Sequence, residues 1–510
     1  MAARESEEHC IYRPCNLQMA EGQHHNSCAS IRPLAFQEAN ALHTSFFGRP
    51  LPTTTDESTT TSETAAADIP RPQNERMCMG GHRDPIFGTA FSPDGKYLAT
   101  ASEDSTIRIW HVQSHKLVTT LSEGMDTNYE CLRVAWLKVR SENDSNNNLQ
   151  QSGDTDTGDT DNVGVAEKYL LASGGADGIV RLWSAVQNKN DGAEHNNNNK
   201  LDWTCVGSLN HFHTEDEERP QIYALQFIQS PSYSNLDLLL TSAHDSIYLW
   251  NIVIDNDDDS KTSESTETSH QQNKKFNNKR RFLSLLSIQF SHLEDGSKTN
   301  QFGGQRNPEN ELYVFDASYN ESSDLLAVAL SDGTCRVISL ASVDDADNDA
   351  DDTPLQREQC VLSLPPGYFG DGGGHLTAVN WDKSGSRLAT CVASGRVVLW
   401  MLQYAGVDGS IFLHPSIVSI LDGGAGRPLF GAKYCCGKNE ELLLTWGIEG
   451  NVSVWDSFSV GEVMLPICTL ISNPDYPIFA LDVTEKSIAI GGGRDGGFLG
   501  VAAYLYDINR

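Results

Sequence analysis

The sequence of 510 residues lacks several features that would have assigned it to a class at once. No stretch approaches 18 apolar residues, so we expect no membrane-spanning helix. The first ten residues, MAARESEEHC, contain no apolar core of a secretory signal. Basic side chains are scarce, with 37 Lys and Arg against 69 Asp and Glu and a formal charge of −32. Because nucleic-acid binding needs a concentrated basic face, this balance disfavours direct contact with DNA or RNA.

Cysteines and catalytic motifs are also sparse. The 12 cysteines are scattered, and Cys435-Cys436 is the only adjacent pair, which indicates reduced thiols instead of a disulfide scaffold. The sequence contains no GxSxG, HExxH or GxxxxGK[ST] motif. These absences predict a soluble intracellular protein, cytoplasmic or nuclear or both, that is not an enzyme.

Internal repeats are the strongest feature that is present. Residues 91–110 read FSPDGKYLATASEDSTIRIW, and related segments return six more times along the chain. The related segments are 168–183, 236–250, 322–340, 384–400, 440–455 and 485–507. Each pairs two strand-length runs across a turn of small or acidic residues, and two further strand-length runs accompany most units. Seven units of four strands predict a radial array of antiparallel blades, an all-β fold.

The first repeat unit resembles the WD40-repeat β-propeller family. It runs from Gly81-His82 to a closing Trp110, as GHRDPIFGTAFSPDGKYLATASEDSTIRIW. The resemblance covers about residues 75–510 and implies a hydrogen-bonded set of His, Ser or Thr, Asp and Trp inside a blade. In this sequence the implied structural residues are His82, Thr100, Asp104 and Trp110 in the first unit, and Ser173, Asp177 and Trp183 in the second.

Later repeat units depart from this pattern. The fifth has Thr390 and Trp400 but Ser394 in place of the Asp, and the sixth has Thr445 and Trp455 with Glu449 there. The fourth has Ile338 in place of the Trp. We therefore expect the seven blades to differ in stability.

The domain organisation follows from these repeats. Residues 1–74 are predicted to form a disordered N-terminal tail, and residues 75–510 a seven-bladed propeller. The seventh unit ends on a third-strand pattern at 501–507, so its outermost strand has to come from elsewhere in the chain. Residues 76–79 occupy the corresponding position before the first unit, so we expect them to pair with the last blade and close the ring.

Long polar inserts interrupt the repeats. They are rich in Asn, Asp, Ser and Thr, which predicts disordered loops. The inserts are 140–166, 188–200, 255–279, 292–310 and 341–356. Four of the five join strands one and two or strands three and four of a blade, so they emerge on one face of the disc. The opposite face, here called the bare face, is the expected partner-binding surface.

Candidate partner-binding residues lie in the connections of the bare face. Aromatic and Arg side chains are those that protein–protein hot spots use. The candidates are Arg83, Asp84, Glu103, Tyr223, Tyr368, Phe369 and His375. The alternative, equally weighted, is that the aromatic residues fold back and pack on the blades.

Other candidate sites favour structural interpretations. The His, Thr and Asp of the blade set could be mistaken for a catalytic triad, but the set repeats around a ring whereas a triad occurs once. Cys10, Cys15, His24, His25 and Cys28 match no common zinc spacing. The acidic runs at 255–259 and 344–352 are typical of solvated loops, as is the basic run KKFNNKRR at 274–281. No metal or cofactor is predicted.

The sequence thus predicts a non-enzymatic scaffold or adaptor that presents a propeller face to other proteins, as a monomeric ring within a larger intracellular complex without direct membrane or nucleic-acid contact. Two alternatives stay open. One is a substrate receptor of a ubiquitin ligase, although the WDxR sequence common in such receptors is absent. The other is an enzyme with a propeller pocket, which would need a carboxylate or His cluster at the central channel.

Overall fold

A computed structural model shows the architecture of the chain. The structure describes residues 75–137, 167–187, 201–212, 219–254, 279–291, 312–340, 358–363, 374–407, 410–422, 428–436, 440–458, 461–464, 466–472, 477–493 and 502–507. The predicted disordered tail, most of each polar insert, Tyr368 and Phe369 lie outside these residues.

The described strands form seven sheets, six of four strands and one of five, and the four strands of each blade are antiparallel, as predicted for a propeller. Along the chain the strands run β1 (Glu75–Gly80), β2 (Ile86–Phe91), β3 (Tyr97–Ser102), β4 (Ile107–His111), β5 (Lys116–Leu121), β6 (Cys131–Leu137), β7 (Glu167–Gly175), β8 (Ile179–Gln187), β9 (Leu201–Asn210), β10 (Leu225–Ile228), β11 (Leu238–Ala243), β12 (Ser246–Ile254), β13 (Arg280–Gln289), β14 (Val314–Asn320) and β15 (Leu325–Leu330). They continue as β16 (Thr334–Ser339), β17 (Glu358–Ser363), β18 (Leu376–Trp381), β19 (Arg387–Val392), β20 (Arg396–Val407), β21 (Ser410–Asp422), β22 (Leu429–Tyr434), β23 (Leu442–Gly447), β24 (Asn451–Asp456), β25 (Gly461–Met464), β26 (Cys468–Ser472), β27 (Ile478–Val483), β28 (Ser487–Gly492) and β29 (Ala502–Asp507).

The sheets are arranged in a ring. Blades 1 to 5 begin with β2, β6, β10, β14 and β18, and the last two begin with β22 and β27. Each of these innermost strands packs against the innermost strand of the next blade, and β27 packs against β2. In the last blade, β1 pairs antiparallel with β29, from Glu75 opposite Tyr506 to Gly80 opposite Ala502. The outer edge of the last blade is therefore formed by a strand that precedes the first blade in sequence.

The hydrophobic core lies between neighbouring blades. One cluster joins Leu325 and Val337 of blade 4 to Leu388 and Trp400 of blade 5, and all four side chains are buried. Both faces of β11 and β15 are buried along their whole length, so these strands read as continuous apolar runs instead of alternating ones. Burial on both faces makes each blade depend on its neighbours for stability.

A β-bulge near the start of the innermost strands directs side chains toward the ring axis. In blade 1 the pairing register shifts between Ile86 and Gly88, which leaves Phe87 as the extra residue. The same shift occurs in the innermost strands of blades 2, 4, 5, 6 and 7. A bulge of this kind re-aims one side chain and increases the local twist.

Two details differ from the sequence prediction. The sheet of blade 5 has a fifth strand, because β25 adds in parallel to the outer edge of β21. This strand comes from the connection between β24 and β26, so blade 6 supplies the extra edge of blade 5. A short 3₁₀ turn at Pro231–Tyr233 is the only helical element among the described residues. Its N-cap, Ser230, accepts a hydrogen bond from the backbone N–H of Ser232.

Candidate interaction face and ring axis

The residues that the family resemblance implied in blade 1 form one connected network. The Nδ1 atom of His82 lies 2.9 Å from a carboxylate oxygen of Asp104, and its Nε2 lies 2.8 Å from the Thr100 hydroxyl. The indole N–H of Trp110 donates to the same hydroxyl at 3.0 Å. His82 belongs to the loop before β2, Thr100 to β3 and Trp110 to β4. The network therefore ties the entering loop to the middle of the sheet.

The network holds its titratable groups in fixed charge states. Burial lowers the pKa of His82, against the opposing effect of Asp104. Burial alone would raise the pKa of Asp104, but hydrogen bonds from His82, Thr106 and the backbone N–H of Arg83 hold it well below its usual range. Asp104 is thus ionised at neutral pH and fixes the orientation of the imidazole. The Thr100 hydroxyl contacts His82 and also accepts from the Trp110 indole, so the set links the entering loop to two strands of the sheet.

The second repeat unit keeps part of the set. The indole of Trp183 donates to the Ser173 hydroxyl at 2.9 Å, as Trp110 does to Thr100. Asp177 instead forms an ion pair of 2.7 Å with Arg181, and both side chains are only 5% exposed. Because charged groups rarely stay buried without a partner, this pair takes the place that the histidine–aspartate contact has in blade 1.

The eroded units retain the Trp-to-hydroxyl bond. Trp400 donates to Thr390 at 2.9 Å in blade 5, and Trp455 donates to Thr445 at 2.8 Å in blade 6. Ile338, which replaces the Trp in blade 4, is buried in the apolar core. Blades 5 and 6 therefore share the hydrogen bond inside the sheet, between the second and third strands of the blade.

Blade 6 has a cavity beside its Trp-to-hydroxyl bond. The cavity measures about 10 Å³, and its lining includes Thr445, Glu449, Asn451 and Ser453. Thr445 and Glu449 stand at the positions of Thr100 and Asp104 in blade 1. In blade 6 the Trp-to-hydroxyl bond therefore lies beside a small cavity.

A second histidine contact was missed by the sequence analysis. In blade 3 the Nε2 atom of His211 lies 3.1 Å from the Thr241 hydroxyl, which also accepts from the Trp250 indole at 2.9 Å. Burial lowers the pKa of His211 to about 4, so this imidazole is neutral at pH 7. His211 follows β9, the outer strand of blade 2, just as His82 follows β1, the outer strand of the last blade. This shared position was the signal in the sequence.

Three of the predicted partner-binding residues surround the blade 1 network on the bare face. Arg83 is exposed, and its backbone N–H donates to Asp104 at 3.0 Å. The carbonyl of Asp84 accepts from the Ser102 hydroxyl at 2.8 Å. The backbone N–H of Glu103 donates to the Pro85 carbonyl at 2.9 Å. Their main chains are thus fixed while the Arg83 side chain faces solvent.

The predicted aromatic and histidine positions behave differently. Tyr223 is only 4% exposed, and its ring lies 5.9 Å from that of Phe315. The imidazole of His375 lies 5.4 Å from the same phenyl ring, and burial lowers the pKa of His375. Tyr223 therefore follows the alternative interpretation, in which the aromatic side chains pack on the blades. Tyr368 and Phe369 lie outside the described residues, so their role stays a prediction.

Aromatic side chains form a cluster where the ring axis reaches the bare face. We call it the axial cluster. Its buried members are Phe87, Leu132, Ala176, Tyr223, Phe315 and Phe479, with Tyr129, Tyr313 and Phe430 partly buried at its edge. Phe479 lies 5.2 Å from both Phe87 and Phe430, centroid to centroid. Such edge-to-face and tilted contacts add to the stability gained by burial. Most of the buried phenyl groups are the extra residues of the β-bulges described above.

Polar side chains join neighbouring blades one layer below the axial cluster. Each belongs to an innermost strand and accepts a hydrogen bond from a backbone N–H of the next blade's innermost strand. The donor–acceptor pairs are Tyr319 to Gln226 at 3.4 Å, Trp381 to Ser318 at 3.2 Å, Tyr434 to Asn380 at 2.9 Å and Phe91 to Asp482 at 2.7 Å. We call these four acceptors the axial brace.

The sequence contains a signal for the axial brace that the repeat analysis overlooked. In LTAVNW, LFGAKY and IFALDV, the innermost strands of the last three blades, the fifth residue is polar between apolar neighbours. Asn380, Lys433 and Asp482 stand at this position. Alignment of the innermost strands alone, separate from the Trp-bearing strands, would have revealed it.

Charged residues complete the layer around the axis. Arg133 donates to the carbonyls of Tyr223 at 2.8 Å and Phe87 at 3.2 Å, and so connects blades 1, 2 and 3. The Lys433 ammonium donates to Asp482, whose other oxygen accepts from blade 1. These groups are cross-links between blades.

Asp316 is the most perturbed carboxylate near the axis. Its two oxygens accept from the backbone N–H groups of Ala317 at 2.9 Å and Val379 at 3.0 Å. Burial raises the pKa of Asp316 to about 6, although the Val379 N–H and the charge of Arg133 oppose the rise. Perturbed carboxylates often mark active sites, but here both oxygens are engaged by main-chain donors. Both bonds fix the carboxyl in place, and the bond from Val379 joins blade 4 to blade 5.

The described part of the chain contains neither a cluster of metal-ligating side chains nor a membrane-spanning helix. No group of three or more His, Cys, Asp or Glu side chains there is placed to hold a metal ion. The N-terminal cysteines and histidines considered above lie outside that part. None of the helices in it has the length and apolarity needed to cross a membrane.

The fold and the blade networks together define a β-propeller protein, with antiparallel blades around an axis and a His–Thr–Trp set in more than one blade. The family model described as WD40: WD domain, G-beta repeat, matches residues 73–111. The matched segment contains β1, which closes the ring, and β2, β3 and β4 of blade 1. The match to a WD40 repeat over this segment confirms the resemblance stated from the sequence.

Several curated proteins match a limited part of the chain. One is the nuclear distribution protein PAC1-2 of Uncinocarpus reesii, 32% identical over 119 residues, or 21% of this chain and 25% of the relative. The nuclear distribution protein nudF of Emericella nidulans is 33% identical over 107 residues, covering 21% and 22% of the two chains. Nuclear distribution protein nudF 1 of Talaromyces marneffei is 36% identical over 114 residues, covering 21% and 24%. The match thus spans about a quarter of the length of these relatives.

Proposed function

We propose that this protein is a non-enzymatic interaction platform whose bare face binds other proteins within an intracellular complex. The observation that carries the proposal is the axial cluster, whose aromatic side chains are packed together and whose edge residues Tyr129, Tyr313 and Phe430 are partly exposed. A rigid aromatic surface at the centre of a face is typical of protein–protein hot spots. The surrounding network keeps that surface pre-formed, which lowers the entropic cost of binding.

A cationic group beside the axial cluster adds to this surface. The Arg219 guanidinium lies 4.7 Å from the centre of the Tyr129 ring and 5.3 Å from that of Phe212. Arg83 is exposed nearby on the same face. Arg and Tyr are enriched among residues that dominate binding energy. This combination supports a protein partner in preference to a small molecule.

Chemical considerations support a role without catalysis. The carboxylates near the axis accept main-chain or lysine hydrogen bonds, so they serve blade assembly. The net charge of −32 opposes direct binding to nucleic acid or to an anionic membrane surface. We further propose a monomeric ring in a hetero-complex, located in the cytoplasm, the nucleus or both. The similarity to proteins called nuclear distribution proteins is compatible with such a role, over the matched quarter of their length.

The proposal is tested by quantitative affinity purification from cells. The variant Arg83→Glu/Tyr129→Ser alters the bare face, and Tyr404→Ser is the matched control, because Tyr404 is 62% exposed on the hairpin of blade 5. We expect at least a tenfold loss of specific partners with the first variant and wild-type recovery with the second. Equal recovery of all partners by both variants would contradict the proposed face. Circular dichroism and melting curves confirm that each variant is folded.

A further inference from the structure

The outer edge of blade 3 carries an unusual concentration of exposed apolar side chains. Leu283 and Leu285 of β13 are 48% and 40% exposed, and Ile254 at the end of the adjacent β12 is 49% exposed. Among the described strands, β13 pairs with β12 alone, so it is the end strand of its sheet. An end strand presents backbone N–H and C=O groups that can pair with another chain. Apolar exposure next to such groups marks an interaction surface.

Blade 5 shows that an outer edge in this ring accepts an additional strand. There β25 lies parallel to β21, with Gly461 opposite Ser419 and Met464 opposite Leu421. The added strand has the sequence GEVM, an acidic residue beside apolar ones. The chain itself therefore contains the geometry that a partner would use at another edge.

The charge at the start of β13 indicates the kind of segment that fits. Lys279, Arg280 and Arg281 are consecutive, and Lys279 and Arg281 are exposed. They stand out in a chain of net charge −32. A positive patch beside an apolar strand edge complements an extended segment that carries both acidic and apolar residues.

A second exposed edge provides a comparison. Strand β5 of blade 1 also has exposed apolar residues, Leu117 at 44% and Val118 at 38%. It has six residues against ten in β13, and a single lysine, Lys116, at its start. Length and charge therefore favour β13 as the edge that binds a strand.

We propose that the outer edge of β13 binds an extended acidic and apolar segment of a partner protein as a fifth strand of blade 3. Main-chain pairing along the edge supplies affinity, Leu283 and Leu285 contact apolar side chains, and the basic residues at 279–281 fix the position of the acidic end. This surface lies on the rim of the ring and is separate from the bare face. A partner could occupy both at once.

The probe is a fluorescein-labelled peptide, Asp-Glu-Val-Thr-Val-Thr-Val-Glu-Asp, titrated with the full-length protein by fluorescence anisotropy. We expect saturable binding that weakens at least tenfold in Leu283→Ser/Leu285→Ser and in Lys279→Glu/Arg281→Glu. The matched control, Leu117→Ser/Val118→Ser on β5, should bind as the wild type does. The same peptide with N-methyl groups on alternate residues should lose at least tenfold, because N-methylation blocks strand pairing.

Several results would overturn the proposal. Absence of binding to the wild type would do so, as would equal binding by the β13 variants or by the N-methylated peptide. If light scattering shows a dimer that dissociates in Leu283→Ser/Leu285→Ser, the edge binds a second copy of this chain instead. Because all substituted side chains are exposed, unchanged melting temperatures are expected and separate loss of binding from loss of folding.

Discussion

The carboxylate of Asp482 accepts a hydrogen bond of 2.7 Å from the backbone N–H of Phe91, across 391 residues of sequence. The two residues belong to β27 and β2, the innermost strands of the last and first blades. This bond and the pairing of β1 with β29 act at the same junction, one at the axis and one at the rim. The ring is thus closed at both its inner and outer radius.

The Asp482 contact can be tested by substitution. Asp482→Ala leaves the buried N–H of Phe91 without its acceptor and Lys433 without its ion partner, so we expect a loss of about 2–4 kcal/mol in the free energy of unfolding. Asp482→Asn keeps an acceptor for Phe91 and should recover about half of that loss. Urea denaturation measures both. Equal stability of the alanine variant and the wild type would show that the junction does not depend on this residue.

The outer closure gives a second prediction. Deletion of residues 1–80 removes β1 and exposes the edge of β29, which should cost about 3–5 kcal/mol at roughly 1 kcal/mol per lost backbone hydrogen bond. Deletion of residues 1–72 retains β1 and serves as the control, with a melting temperature close to that of the full chain. Differential scanning fluorimetry compares the two. Matching melting temperatures would mean that the strand pairing does not stabilise the ring.

The blade networks predict that equivalent threonines differ in importance. Thr100 accepts from Trp110 and contacts His82, whereas Thr445 accepts from Trp455 beside a small cavity. Thr100→Val should therefore cost about 2–3 kcal/mol and Thr445→Val about 1 kcal/mol, because fewer buried groups lose a partner in blade 6. Chemical denaturation of the two variants checks the order. A larger loss from Thr445→Val would refute the idea that the eroded blades rely less on this bond.

The carboxyl of Asp316 gives the stability a defined pH dependence. Its pKa is about 6 in the folded chain and near 4 in the unfolded chain. The folded state therefore binds more protons between these values, so this group's contribution to stability falls as pH rises from about 4 to 6 and is constant above that. Asp316→Asn should remove the dependence.

The measurement for Asp316 is urea denaturation of wild type and Asp316→Asn at several pH values between 4 and 7.5. The stability of the variant relative to the wild type should increase with pH up to about 6 and then level off. The asparagine side chain has one acceptor oxygen instead of two. This loss changes the free energy of unfolding by the same amount at every pH, so the dependence of the difference on pH is unaffected. A flat difference, or one that decreases with pH, would contradict the raised pKa.

The Trp-bearing strands allowed much of the fold to be predicted because their signal is local. Thr100 and Trp110 are ten residues apart, on adjacent strands of one hairpin, and the same spacing recurs at Thr390 and Trp400. The hairpins β3–β4 and β19–β20 were predicted, because they overlap the repeat segments 91–110 and 384–400. Strand β25 was not, since its partner β21 belongs to another blade.

The residues around the axis were not predictable in the same way. Asn380 bonds a backbone N–H of Tyr434, 54 residues later, and Ser318 bonds that of Trp381, 63 residues later. Their function depends on which strand becomes the neighbour, which no single repeat unit contains. Phe87 likewise reaches the axial cluster only because a β-bulge redirects it. Tyr223 was a candidate contact with packing on the blades as the alternative, and its ring is part of that buried cluster.

Binding of partner proteins by the bare face can be tested by hydrogen–deuterium exchange of the purified protein alone and in complex with a partner captured from cells. We expect protection at residues 81–85, 103–106 and 122–130, which form bare-face connections, and none at 112–115, the turn on the opposite face. Protection confined to the opposite face, with the bare-face segments exchanging as in the free protein, would contradict it.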